Sequence, residues 1–415
     1  MTVLWDSLTV FSQDVVLVFL LLLPALCTGA FVLHGYAPWP LVGAILWRFR
    51  GANISFMLLV TLSVGAGLSL LALERGLRTG MAKSTDKFDL LVTAPGSETK
   101  MVLAAVYLES TDMPLLDGTI FTEIETHKNV TLASPLAFGD SYGNSPLIGT
   151  TAGFLKHLSN AQIKGRIWRN SEEAVIGALT PLKIGESFMP AHGVGFTRED
   201  EAHGGHILSI VGRMPPTGTP WDRAILVPIE TVWDIHGLAN GHAPVHSEQI
   251  GGPFDAEYFP GTPIIIIHTK EIWANYALRS EFTRKGVSMA FFPAAVLGNL
   301  FRVMSNIRKT MSVMSLLTQV ITTTSVLLSL LIISRLFQRQ MSLLRALGAP
   351  VRFIFAVLWS YCISLLATGA LLGAIFGVVA AAILSHFIST QTGVLISAPF
   401  SWSEVHYLAV FISIM

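Results

Sequence analysis

Long apolar runs stand near both ends of this chain, separated by a polar stretch in which short apolar groups alternate with turn residues. Residues 15–33 (interrupted by Pro24), 54–73, 311–333 and 353–384 each approach the length a helix needs to cross a bilayer, about 20 apolar residues. Residues 405–415 begin like another crossing helix and stop short of that length. The first run differs from a secretory signal, because no Lys or Arg precedes it and Leu26 stands directly before Cys27. It reads as a retained helix.

Between residues 85 and 290 the rhythm changes. Residues 88–93, 174–177, 207–212 and 224–227 are short runs bounded by Gly or Pro, which predict strands. Residues 263–268 carry four consecutive isoleucines, the pattern of a buried strand. After Pro293, the positions Val296, Leu300, Val303 and Ile307 fall on one helical face that leads into the run at 311–333. On the other side, a helical pattern continues out of the second run through Glu74, Arg75, Leu77, Arg78 and Met81. Two helical stalks therefore flank a mixed domain. The expected divisions are 1–34, an extra N-terminal span; 35–52, an interfacial helix; and 53–84, a span with its stalk. The domain at 85–292 follows, then 293–334, a stalk with its span; 335–352, a loop helix; and 353–385, a span. Residues 386–404 form an outer loop and 405–415 the start of a last span.

Composition agrees with a membrane protein: 52% of residues are hydrophobic and 13% charged, where soluble domains carry about 25% charge. The formal net charge is zero, yet the arginines are unevenly placed. Arg48 and Arg50 occupy one inter-span loop, and Arg335, Arg339, Arg345 and Arg352 another, with no acid in either. Arginine-rich loops stay in the cytoplasm, so Met1 and the domain at 85–292 are expected outside. Trp39, Trp47 and Phe49 surround the first arginine pair, as in a helix lying along the membrane surface. Cys27 and Cys362 both fall in apolar runs, so no disulfide supports the outer domain. No charged tail points to nucleic acid. The apolar runs carry no charge, which weighs against a channel or a proton-coupled carrier.

Within residues 335–352, Met341, Leu343, Leu344 and Leu347 form an apolar stripe at helical spacing, and Gly348 is placed to end the helix. Such a helix suits docking of a cytoplasmic partner; a plain basic loop that only sets topology is the competing reading. No phosphate-binding loop, nucleophile elbow or H-E-x-x-H pattern occurs, so any ATP must be held by another chain. His192, His203 and His206, interleaved with Glu199, Asp200 and Glu201, have the donor types of a zinc site. A polar surface loop, rich in Gly193, Gly195, Gly204 and Gly205, is the alternative. His236, His242 and His246 form a second, looser group.

The run Arg339-Gln340-Met341-Ser342-Leu343-Leu344-Arg345-Ala346-Leu347-Gly348-Ala349 resembles the coupling-helix signature of FtsX-like permeases, the membrane subunits of MacB-type ABC transporters. Ala174-Val175-Ile176-Gly177 with Leu182-Lys183-Ile184-Gly185-Glu186 is similar to part of the MacB-type periplasmic core domain. So is the stretch at 210–225, with its Thr217-Gly218-Thr219-Pro220 and Asp222. The likeness covers Pro40 to the C-terminus. It implies a membrane α-helical bundle, a four-helix permease core plus one extra N-terminal span, carrying an inserted α+β extracytoplasmic domain on helical stalks. The resemblance further implies a homodimer in a bacterial inner membrane, with no catalytic residues of its own. Two copies of a cytoplasmic ABC ATPase would hold ATP and Mg, and a periplasmic adaptor or lipoprotein would be a further partner. ATP-driven motion would reach the periplasm through the stalks, by mechanotransmission, to export or extract a substrate. Arg339, Gln340, Met341, Leu344, Arg345, Leu347 and Gly348 would form the ATPase-coupling surface. The alternative within the resemblance is an FtsX-like regulator that activates a periplasmic partner and moves nothing; the large outer domain favours transport. Gln340 stands where the signature usually has Glu, which leaves out an ion pair with the ATPase.

Overall fold

A computed structural model describes residues 9–109, 112–192, 206–246, 248–284, 286–300, 338–392 and 400–414, with isolated positions in the 302–335 and 394–397 stretches. The expected span at 311–333 lies outside the described residues except for Val320, Thr324 and Leu328. The chain divides into a helical unit (1–77, 305–387 and 396–415) and a sheet unit (78–304 and 388–395).

Among the described residues three helices are long and apolar enough to cross a membrane: Val10–Leu33, Arg50–Thr85 and Val351–Thr390. The first, α1 (Val10–Leu33), starts at Thr9, whose hydroxyl accepts from the Ser12 amide at 3.3 Å. It begins before the apolar run does, so Asp14 lies inside a crossing-length helix. A short helix, α2 (Trp39–Arg48), follows, and after Phe49 comes α3 (Arg50–Thr85), 36 residues without a break. The apolar run ends at Leu73, and α3 continues well past it, as expected of a stalk.

In the sheet unit a mixed sheet of eleven strands carries helices on both faces. The isoleucine run forms β3 (Ile264–Thr269), hydrogen-bonded between β1 (Leu90–Thr93) and β2 (Val130–Tyr142), antiparallel to both. Successive side chains of a strand point to opposite faces. Ile265 and Ile267 accordingly enter one core and Ile264 and Ile266 the other. Helix α4 (Glu98–Tyr107) and the helix at Ala152–Leu158 cover the second core. Helices at Gly118–Glu125, Ile229–Ile235 and Ile272–Arg284 cover the first. Strand β2 was not evident from sequence: Pro135 and Gly139 interrupt its pattern, and its register shifts between Ala137 and Asp140.

Two motifs of the sheet unit meet. Strand Glu173–Ile176 pairs with strand Ile225–Pro228, and the Gly177 amide donates to the Ala224 carbonyl at 2.9 Å. A Cβ on Gly177 would lie 2.4 Å from the Asp222 carbonyl oxygen, so only glycine fits. Asp222 is buried and accepts from the Thr217 amide (2.8 Å), the Thr217 hydroxyl (2.7 Å) and the Gly218 amide (2.8 Å). Trp221, also buried, donates its indole N–H to the Ala105 carbonyl at 3.2 Å. The conspicuous Thr-Gly-Thr-Pro-Trp-Asp segment is thus a folding device, a carboxylate bracing its own loop.

The C-terminal part returns to helices: Gln338–Ala346, Val351–Thr392 and Trp402–Ile414. Gly369, Gly373 and Gly377 lie on one face of the 42-residue helix, four residues apart, against Val60, Val64 and Leu68 of α3. Close approach through small residues is how helices pack where no hydrophobic effect drives them together. Thr61 of α3 donates to the Gly369 carbonyl at 3.2 Å across that seam. At the last helix, Glu404 pairs with Arg75 at 2.8 Å and accepts from the Ser401 amide at 2.8 Å. The same helix meets α1 through Trp402 and Phe11, ring centroids 5.3 Å apart, and through His406 Nε2, 3.5 Å from Asp14 Oδ1.

Candidate functional site

The arginine-bearing helix Gln338–Ala346 ends as its sequence predicts. Gly348 has φ of +92°, its amide donates to the Arg345 carbonyl at 3.0 Å, and the Ala349 amide reaches back to Leu344 at 3.0 Å. This is a Schellman cap, satisfying the carbonyls that the last turn would leave open, and Pro350 follows. Glycine is required because the left-handed conformation strains any residue with a Cβ.

The apolar stripe divides between two directions. Met341 is 9% exposed and belongs to a core with Val42, Phe56, Val357, Tyr361 and Leu365, against which Leu344 also packs. Leu343 and Leu347 face away, 62% and 84% exposed. Arg339 and Arg345 are exposed on the same helix, while the Gln340 side chain lies outside the description. Leu344, expected on the docking face, therefore turns inward; Leu343, named in the stripe and left out of the coupling set, turns outward. Periodicity could find the stripe but could not tell which part of a wide stripe the protein covers itself.

Beneath this helix a polar chain ties three elements. Tyr361 Oη donates to Asn53 Oδ1 at 2.5 Å, and Asn53 Nδ2 donates to the Leu46 carbonyl at 2.9 Å. Tyr361 and Asn53 are both buried. The chain joins Val351–Thr392, α3 and α2, so the loop helix rests on a floor held by hydrogen bonds as well as by packing. Arg352, at the start of the long helix, lies with its guanidinium carbon 5.6 Å from the Phe31 ring centroid.

The histidines of the sheet unit are dispersed. His203 and the side chain of His192 lie outside the described residues, and the His206 imidazole stands 3.8 Å from Asp234. His236 and His242 face different acids, Asp140 at 3.9 Å and Glu230 at 3.5 Å. Burial pushes the Glu230 carboxyl above its ordinary range, against the Gly251 amide and His242 that favour its anion. Among the described residues no group of three or more His, Cys, Asp or Glu is placed to hold a metal ion.

No family model and no curated protein matches the chain. Among solved structures, the periplasmic region of MacB from Actinobacillus actinomycetemcomitans matches with a TM-score of 0.32 and 8% identity, over 52% of this chain and 94% of that one. What the chain does is therefore argued from its own residues. An exposed pair of leucines, Leu343 and Leu347, beside the exposed Arg339 and Arg345 can bind a protein surface.

Proposed function

We propose that this chain is the permease subunit of a MacB-type ABC transporter, and that helix Gln338–Ala346 docks a separate cytoplasmic ATPase. The observation that supports it is the division of the helix. Met341 anchors it to its own unit, while Leu343 and Leu347, flanked by Arg339 and Arg345, remain open to a partner. Arginine is enriched at interface centres, and an exposed leucine beside it gains by leaving water. The loops whose only charges are arginines support a cytoplasmic position for this face, where an ATPase would find it. The long helix α3, apolar within the bilayer and continuing outward, would carry the motion that ATP binding produces. The complex would work on a substrate in the periplasm or outer leaflet, in a bacterial inner membrane.

The test is co-purification with the ABC ATPase expressed beside it. Leu343→Asp and Leu347→Asp each place a charge at the contact and should abolish recovery of the ATPase while the permease still folds. If Leu347→Asp recovers the ATPase undiminished and stimulates its hydrolysis normally, the docking reading is overturned.

A further inference from the structure

Helix α2 has a face that is left open among the described residues of its unit. Val42 is buried in the core shared with Met341, and Leu41, Ile45, Leu46 and Phe49 pack against that core. Away from that core Trp39 and Trp47, eight positions and so about 12 Å apart along the helix and about 80° apart around it, are 54% and 74% exposed. Between them stands Gly43, where an added Cβ would meet nothing within 4 Å. Arg48 and Arg50 follow, both exposed, and the Arg50 guanidinium carbon lies 5.6 Å from the Trp47 ring centroid.

We infer that this Trp39–Trp47 face, completed by Arg48 and Arg50, binds anionic phospholipid of the leaflet into which it dips. The level is set by the chain itself: Arg50 is the first residue of α3, a helix long and apolar enough to cross a membrane. Trp47 therefore lies where apolar chains give way to headgroups, the depth at which amphipathic indoles are most stable. The charge is complementary and uncontested, since no Asp or Glu occurs between Asp14 and Glu74. Guanidinium groups meet a phosphodiester with two parallel hydrogen bonds, and a ring beneath the cation leaves that fork facing outward. Two tryptophans with a gap between them suit an acyl chain better than the convex surface of a soluble protein. The inference rests on the membrane-spanning reading of α3.

The experiment uses the full chain, purified in detergent with phosphatidylglycerol or phosphatidylcholine added. Phosphatidylglycerol should raise the melting temperature and remain bound after washing; phosphatidylcholine should do neither. Replacing both arginines (Arg48→Gln, Arg50→Gln) should lower retention of phosphatidylglycerol roughly thirty-fold at limiting lipid. The Arg48→Lys, Arg50→Lys protein should keep part of it, and Arg279→Gln in the sheet unit should keep all. Trp39→Ala with Trp47→Ala should weaken retention of phosphatidylglycerol. Equal retention by the double Gln variant and the unchanged protein would overturn the inference. So would equal shifts with the two lipids, or loss of a co-purifying cytoplasmic protein with lipid retention unchanged. Extraction of the unchanged protein from membranes by alkaline carbonate would instead count against the spanning reading itself.

Discussion

Tyr361 and Asn53 are 308 positions apart in sequence and share a 2.5 Å hydrogen bond inside the helical unit. Asn53 passes the connection to the Leu46 carbonyl, so one buried amide holds α2 against two long helices. A polar pair in apolar surroundings can fix how helices are arranged, because either group alone would be left unsatisfied. Tyr361→Phe should lower stability by about 1 kcal/mol. A double-mutant cycle with Asn53→Ala, read by thermal unfolding, should give a coupling of similar size. A coupling near zero would mean that the two side chains do not bond.

The glycine seam predicts a sharp positional effect. At Gly373 a new Cβ would lie 2.8 Å from the Val64 Cβ and 3.0 Å from the Thr61 carbonyl oxygen. Gly373→Val should cost about 1–3 kcal/mol by overpacking and reduce the folded yield on size exclusion. At Gly298, where nothing lies within 4 Å, Ala should be neutral or slightly stabilising. Similar yields for both variants would show that the seam is loose.

Asp222 gives a prediction for the sheet unit. Its carboxylate receives two backbone amides and a hydroxyl, all within the loop that begins at Thr217. Asp222→Asn keeps the shape, removes the charge and turns one acceptor into a donor facing donors. The expected loss is about 2–3 kcal/mol, seen as a lower melting temperature with membrane insertion intact. Thr217→Val should cost less, since it removes a single bond.

The His157 imidazole makes the sheet unit sensitive to mild acid. Burial, with His268 and Lys87 beside it, holds His157 below the ordinary imidazole range, against the Lys87 carbonyl and Asp89 that favour its cation. Its ring centroid lies 4.8 Å from that of His268, which itself contacts Asp89. The native state therefore prefers the neutral ring, while the unfolded chain takes a proton near pH 6.5. The stability involved is present above about pH 6.5 and is lost as pH falls through the lowered folded value. Glu173, held low by Arg166, and Asp117, held low by Thr119, act only further down, where carboxylates titrate. The melting temperature should drop between about pH 7 and 5.5, and His157→Gln should flatten that drop. An equally steep drop in the variant would assign it elsewhere.

Several elements were legible in the sequence because one local rule dictates each. The isoleucine run became the strand Ile264–Thr269, the apolar runs at 15–33, 54–73 and 353–384 became crossing-length helices, and Gly348 became a helix cap. Elements that depend on distant partners were not. Strand Val130–Tyr142 holds its place through its neighbours despite Pro135 and Gly139, a support no local pattern reveals. The candidate site was half legible: its location and arginines came from spacing and charge, but its inward and outward faces did not.

The sequence alone determined where the chain is apolar enough to leave water, which segments alternate as strands, and where left-handed backbone must end a helix. Each follows from the residue and its near neighbours, through transfer free energy, side-chain periodicity or the absence of a Cβ. Only the tertiary structure decided that Leu344 is covered and Leu347 is not, and that Gly373 must stay bare beneath Val64. It also placed Asn53 under Tyr361. Those facts depend on which surfaces meet, and contacts between residues hundreds of positions apart leave no mark in the local pattern of either partner.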